Sequence, residues 1–420
     1  MNHIKALTLI PLLLLSTGCV QRPQETVQPT PAPVVQPVQA QYIPVSTVYY
    51  PNQNQVPLQP TYPPQQQYPT QQYPTQQYPI VQDYPAPTVH TPAYTPRRSS
   101  YLGGAYARNY KLKKLINKMV KKYSYNRYEL NAIFSTVKRD PEALKKIGAF
   151  GGSAKPTYSK ATSVGAWDKY RSNFLTSSRI GKGVAFWKEN LKWLNQASRR
   201  YGVAPEYILG IIGVETNYGG YTGKHSVLDS LTSIALEFPK RSKFFSSELE
   251  NYLLIVRDQK IDPQSIKGSY AGAFGLSQFM PSSFREYGVD LDGDGKINLF
   301  TKADAIGSIA RYFKEKGKWN NRIPVTIPTR YKKSRFYGLS TGFRTRYTQS
   351  HLRSLGMRPA GNLFGYRGKV SLIKLSRYNK DELWWGTGNF HTIARYNPKD
   401  HYAMAVHQLA QAIRHAYYGK

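Results

Sequence analysis

The chain has 420 residues, enough for a large core and more than one structural region. Its 58 lysines and arginines stand against 24 acids, a net charge of +34, which implies an anionic partner: nucleic acid, acidic lipid or an acidic cell-wall polymer. A single cysteine, Cys19, excludes an intramolecular disulfide and a cysteine-based metal cluster.

That cysteine closes the first element. Lys5 precedes the apolar run Ala6–Leu15, too short to span a bilayer but suited to the core of a signal peptide. The following Ser16-Thr17-Gly18-Cys19 resembles a bacterial lipobox, with Ser16 where such boxes usually carry leucine. Residues 1–18 therefore read as a lipoprotein signal peptide and Cys19 as the lipidated N-terminus, the alternative being an ordinary signal peptide with an incidental cysteine. Val20-Gln21 lacks the aspartate that some bacteria use for inner-membrane retention. The anchor is thus expected in the outer membrane, facing the periplasm.

Residues 19–100 read as a disordered linker rich in Pro, Gln and Tyr. The repeat "QQYPT" places Tyr68, Tyr73 and Tyr78 in step, and Glu25 and Asp83 are the only formal charges between Pro23 and Pro96. Such a segment cannot bury enough apolar surface to fold and should act as an extended tether. At about 3.1 Å per residue it could reach on the order of 200 Å.

Folded sequence is expected over residues 101–420. Asn126 and Glu129 form a capping pair ahead of a helix over Leu130–Arg139. Gly183–Gly202 has the period of one helix, and a second begins at Pro205 and stops at Gly219-Gly220. Asp304–Gly317 and His401–Gly419 read as two more. Residues 320–385, richer in Gly, Pro, Thr and Val, suit short strands. The class is mainly α, an α+β chain with a small β region.

The helix after Pro205 poses the functional question. Ile208, Ile211, Ile212 and Glu215 fall at i, i+3, i+4 and i+7, so a carboxylate lies on the face that should meet the core. Two readings are open: a structural carboxylate paired with a lysine or arginine, or a general acid held protonated by desolvation. The stretch "GSYAGAFGLSQFMPSS" (Gly268 to Ser283) supplies glycines, hydroxyls and a glutamine interleaved with aromatics. "ARYNPKDHYAM" (Ala394 to Met404) adds Tyr396, Asn397 and Tyr402. Neutral donors and aromatic faces are what a polysaccharide cleft uses.

With "GIIGVETNYGG" (Gly210 to Gly220) and "VDLDGDGKINL" (Val289 to Leu299), these stretches occur in an order that resembles the membrane-bound lytic murein transglycosylase B family over about residues 105–420. The resemblance implies a lysozyme-like helical core with an additional α region, a small β region and an EF-hand-like loop. It also implies cleavage of the β-1,4 bond between N-acetylmuramic acid and N-acetylglucosamine without water and without a catalytic cofactor. Glu215 would protonate the leaving oxygen, then take the proton of the C6 hydroxyl as a 1,6-anhydro ring closes. Carried over by motif, Tyr170, Ser269, Gln278, Met280, Tyr312, Tyr396, Asn397 and Tyr402 should line the cleft. Lys240 and Arg241 match a basic pair that faces the peptide side chains of the glycan. Asp229 and Glu237 follow Glu215 without a comparable motif.

"DLDGDGKIN" (Asp290 to Asn298) reads as the start of an EF-hand, with Asp290, Asp292 and Asp294 at positions 1, 3 and 5 and glycine at 6. The Lys296 carbonyl would be the backbone ligand of a structural Ca2+, while Thr301 stands where a bidentate glutamate belongs. The resemblance assigns the closing acid to Asp304. The alternative is an Asp-Gly turn without metal.

Two rival functions remain at this level: a hydrolytic muramidase and a non-catalytic peptidoglycan-binding lipoprotein. The export signal and the lack of a nucleic-acid motif count against nucleic acid. A monomer acting on peptidoglycan strands is expected.

Overall fold

The computed structural model describes residues 94–151, 164–331, 336 and 338–419. The expected signal peptide, Cys19 and most of the expected tether lie outside the described residues. Fourteen α-helices occur among the described residues. They are α1 (Tyr110–Tyr123), α2 (Arg127–Ser135), α3 (Pro141–Gly151), α4 (Ala166–Arg171), α5 (Ser177–Glu189), α6 (Leu191–Tyr201) and α7 (Pro205–Thr216). Then follow α8 (Val227–Glu237), α9 (Ser242–Asp258), α10 (Pro281–Tyr287), α11 (Lys302–Glu315), α12 (Gln349–Ser354), α13 (Gly388–Tyr396) and α14 (Asp400–Tyr418).

Side-chain caps explain many of the starts. The Asn126 side chain accepts from the Tyr128 and Glu129 amides, so half of the expected capping pair is present, while the Glu129 carboxylate takes Arg98; α2 runs from Arg127 to Ser135 rather than over Leu130–Arg139. There the Thr136 hydroxyl bonds the Ile133 carbonyl and competes with the next helical turn. The single helix expected over Gly183–Gly202 is two. Asn190 leaves the helical region at φ −115° and its side chain takes the Phe186 carbonyl, separating α5 from α6.

Six short strands occur among the described residues. β1 (His225–Ser226) pairs antiparallel with β2 (Lys267–Gly268). β3 (Thr326–Arg330), β4 (Arg358–Pro359), β5 (Ser371–Ser376) and β6 (Asp381–Gly386) form an antiparallel sheet in the order β4-β3-β6-β5. This is the β region expected between residues 320 and 385, interrupted by α12. Alternation along β5 divides two cores: Ile373 and Leu375 join the main helical core, whereas Leu372 packs with Trp385, Leu383 and Met357 in a smaller one.

The centre of the main core is α7. It is not an amphipathic helix, because every residue from Glu206 to Val214 is buried. Its fully enclosed Ile208, Leu209, Ile211 and Ile212 each contribute on the order of 1.5–3 kcal/mol by burial. Gly210 and Gly213 let neighbouring elements approach. A Cβ at Gly210 would sit 2.8 Å from the Val406 carbonyl of α14, and one at Gly213 2.5 Å from the Tyr218 hydroxyl. The helix stops two residues before the expected Gly219-Gly220: Asn217 and Tyr218 already adopt left-handed backbone, at φ 51° and 61°.

Candidate active site

Glu215 occupies the last turn of α7 and its side chain emerges at the helix end, while Oε2 is sealed from solvent. The Tyr402 hydroxyl of α14 donates to Oε1 at 2.6 Å. Oε2 has no hydrogen-bond partner among the described residues. Burial pushes the carboxyl up to about 8, and the Tyr402 bond pulls in the opposite direction. No lysine or arginine among the described residues pairs with it. The reading as a structural ion-pair carboxylate is therefore set aside by the geometry.

The two segments that flank Glu215 arrive through specific bonds. Thr216 bonds the Leu276 carbonyl at 3.4 Å and so holds the 268–280 segment against the end of α7. Within that segment Gln278 takes a left-handed backbone at φ 49°. Its side-chain amide donates to the Thr222 and Gly275 carbonyls, both at 2.9 Å. The Ser269 hydroxyl accepts from the Ala273 amide at 3.1 Å. From the other side the Tyr396 hydroxyl donates to the Ser277 carbonyl at 2.6 Å. Its ring packs against Phe279 and Tyr312, and Tyr312 donates to the Arg395 carbonyl. Asn397 is buried at the end of α13, and Met280 is buried where α10 starts.

Tyr170 comes from α4. Its ring rests among Trp167, Phe174 and His401, and its buried hydroxyl has no hydrogen-bond partner among the described residues. Burial raises the pKa of Tyr170, Tyr396 and Tyr402, and the negative charge of Glu215 raises each further. The structure thus brings Tyr170, Tyr396 and Tyr402 within electrostatic reach of Glu215. Lys240 and Arg241 lie on the single turn Pro239–Arg241 between α8 and α9. Lys240 is exposed, whereas Arg241 is half-buried with its guanidinium over the Phe244 and Phe245 rings.

Neither of the two acids that follow Glu215, Asp229 and Glu237, offers a second catalytic group. Asp229 accepts from the Lys138 amide and the Gln264 side chain, both at 3.0 Å. Glu237 is clasped by Arg139 and Tyr106.

In the acidic loop the carboxylates of Asp290, Asp292 and Asp294 converge, with ligand atoms within 4.8 Å of one another. Burial and then the neighbouring acids raise Asp292, a repulsion that a hard cation relieves. The donor set fits a divalent cation bound through oxygen. Asp304 stands outside this group of three. Its two oxygens accept from the Leu291 and Asn298 amides at 2.8 and 2.7 Å, so it braces the loop from behind.

Three contributors were not read from the sequence. Thr216 and Phe279 lie inside quoted motifs, and their adjacency to Glu215 and Gln278 was the available signal. Arg377 had none, because it acts across 209 positions. It bonds Asp168 of α4 at 2.7 Å and Glu382 of β6 at 2.5 Å, and the Tyr378 amide also bonds Asp168. This clamp holds the helix that presents Tyr170.

With this geometry in place the comparisons with known proteins are specific. Residues 108–411 match the family model described as the transglycosylase SLT domain. The chain is 43% identical to the membrane-bound lytic murein transglycosylase B of Escherichia coli (strain K12) over 314 residues, 74% of this chain and 85% of that protein. The Escherichia coli lytic transglycosylase Slt35 in complex with calcium superposes with a TM-score of 0.70 at 41% identity, covering 76% of this chain and 97% of that one. The Pseudomonas aeruginosa lytic transglycosylase SltB1 superposes at 0.68 with 37% identity, covering 74% and 100%. The helical architecture with few strands is the lysozyme-like fold of these enzymes. The chain belongs to the SLT-domain lytic transglycosylases and is an enzyme that acts on peptidoglycan.

Proposed function

We propose that the chain cleaves the β-1,4 bond between N-acetylmuramic acid and N-acetylglucosamine without water, leaving 1,6-anhydro ends, with Glu215 as acid and then base. One observation carries this: Glu215 is a buried carboxyl pushed up to about 8, without an ion-pair partner among the described residues, while Asp229 and Glu237, the acids that follow it, are taken up by other bonds. A carboxyl of that kind is protonated at neutral pH and can give its proton to the leaving oxygen. The resulting carboxylate is stabilised by the Tyr402 hydroxyl and can then receive the proton of the sugar's own C6 hydroxyl. Enclosure excludes water from both steps.

Tyr170, Ser269, Gln278, Met280, Tyr312, Tyr396, Asn397 and Tyr402 would form the walls of the cleft. Lys240 and Arg241 would meet the acidic stem peptides from its edge. No cofactor enters the chemistry. Asp290, Asp292 and Asp294, with the Lys296 carbonyl and Asp304 as the closing acid, would bind a structural Ca2+. The calcium complex of the Escherichia coli Slt35 supports that ion.

Residues 1–18 would be removed as a signal peptide, Cys19 lipidated, residues 19–100 would tether, and residues 101–420 would work as a monomer. Among the described residues no helix is long and apolar enough to cross a membrane. The membrane-bound character of the Escherichia coli relative supports a lipid anchor in the cell envelope, in our reading the outer membrane facing the periplasm.

The test is mass spectrometry of soluble products from purified murein, digested in parallel by the wild-type protein and the Glu215→Gln variant. Products one water lighter than hydrolysis gives, and none from the variant, are expected. Products with reducing ends would overturn the reading in favour of a muramidase, and binding without products would leave a wall-binding lipoprotein.

A further inference from the structure

The cleft leaves a one-sidedly charged face of the protein unused. From Arg97 to Lys138 the chain carries one acid, Glu129, and Arg98 pairs with it at 3.2 Å. Within this stretch α1 buries Leu112, Leu115, Ile116 and Met119 in the core. Its outward side presents Lys111, Lys113, Lys114, Lys118, Lys121 and Lys122, all exposed. Two of these are engaged by the fold, Lys118 with Glu250 and Lys111 with the Leu236 carbonyl. Lys113, Lys114, Lys121 and Lys122 form no ion pair among the described residues. Like charges set side by side on one helix repel, and an anionic surface relieves them.

Tyrosines frame the lysines. Tyr101, Tyr110 and Tyr128 are 74%, 76% and 52% exposed, among the most exposed large apolar side chains described. Tyr110 begins α1. Arg127 bonds Asn117 at 2.8 Å, which sets the start of α2, with Tyr128, against the lysine side. The Ser99 amide bonds the Tyr128 carbonyl at 2.9 Å, so the chain arriving from residue 94 runs along α2 beside this face. Exposed tyrosine beside lysine suits the boundary between headgroups and acyl chains, where the ring sits in the apolar layer and its hydroxyl stays wet.

We propose that the α1–α2 face docks on an anionic bilayer surface, with its lysines on lipid phosphates and its tyrosines at headgroup depth. The face is carried on α8 and α9, through Lys111, Lys118 and the bond of Tyr125 to the Leu253 carbonyl. None of its residues belongs to the group around Glu215. Docking would fix how the enzyme stands on the membrane, independently of any lipid on Cys19.

The test uses residues 94–420, which contain the whole described core and match solved relatives of the same extent. This piece lacks Cys19 and the apolar leader, so an anchor cannot account for binding. It is sedimented with vesicles of phosphatidylglycerol and phosphatidylethanolamine, and with phosphatidylcholine alone. Binding to the anionic vesicles only, and its loss at high salt, are expected. At about fivefold per lysine, changing Lys113, Lys114, Lys121 and Lys122 together to Gln should weaken it about six-hundredfold. Murein cleavage should stay unchanged, and the matching set of Arg substitutions should retain binding. No binding to anionic vesicles, or equal binding by the Gln set, would overturn the proposal. Loss of murein binding by the Gln set with vesicle binding intact would also overturn it, and would give the face to the cell-wall polymer.

Discussion

Tyr402 reaches from α14 to hold Glu215 of α7 through a 2.6 Å hydrogen bond across 187 positions of sequence. Glu215 is thereby under two opposed influences, burial favouring the protonated acid and the tyrosine favouring the carboxylate. An enzyme that needs Glu215 first as acid and then as base uses both.

The pH dependence follows with a definite sign. The acid form is required to start the reaction, so kcat/KM should fall as pH rises through about 8. Tyr402→Phe removes the bond that favours the ionised form. Its alkaline limb should move upward by about 1–2 pH units, and turnover should drop because the base form is less stabilised. A pH profile of both proteins checks this, and a downward shift in the variant would contradict it.

Glu215 should also cost stability. Its folded pKa is raised above the value of about 4.3 expected in an unfolded chain. The folded state therefore binds more protons, and stability falls between roughly pH 4 and pH 8 before levelling. Glu215→Gln removes that slope. The inactive variant should melt higher than wild type at pH 8, by up to a few kcal/mol in stability, and close to it at pH 4. Thermal melts across pH decide this, and equal melting at every pH would show that the carboxyl is not held protonated.

How much of this was visible beforehand depended on whether a residue's role was local. Glu215 stood out because a helical period placed it among isoleucines, and Asn126 because its partners lie within three positions. The break at Asn190 was missed because the apolar period runs through it, and only the side-chain bond to Phe186 interrupts the backbone. The end of α7 was assigned to Gly219 by residue type, yet Asn217 and Tyr218 take the left-handed turn. Asp304 matched a ligand position, and its bonds to the Leu291 and Asn298 amides had no signal in the sequence. Contacts such as Arg377 with Asp168 are set by the assembled fold and leave no local pattern.

That clamp gives a third prediction. Arg377→Ala leaves Asp168 half-satisfied and frees α4, which carries Tyr170. The pair is partly exposed, so the stability loss should be about 1–2 kcal/mol. KM for murein fragments should rise several-fold with kcat less affected, because a wall is displaced and the acid is not. Steady-state kinetics check this, and a loss in kcat alone would contradict it.

Calcium supplies the fourth. Chelation should lower Tm, since a ligand at a hundred times its Kd stabilises by about 2.7 kcal/mol. Asp292→Asn relieves the repulsion that raises this carboxyl. The variant should melt slightly higher than wild type in chelator and gain less from added Ca2+. A melt insensitive to chelator and to Ca2+ would contradict a metal site here.

The most direct test of water-free cleavage by one carboxyl is digestion of murein in water enriched in heavy oxygen, followed by mass spectrometry of the new ends. Ring closure by the sugar's own C6 hydroxyl takes no oxygen from solvent. Anhydro products without label are expected, absent with Glu215→Gln. Products that carry one heavy oxygen at the new end would mean that water attacks the anomeric carbon, and would contradict it.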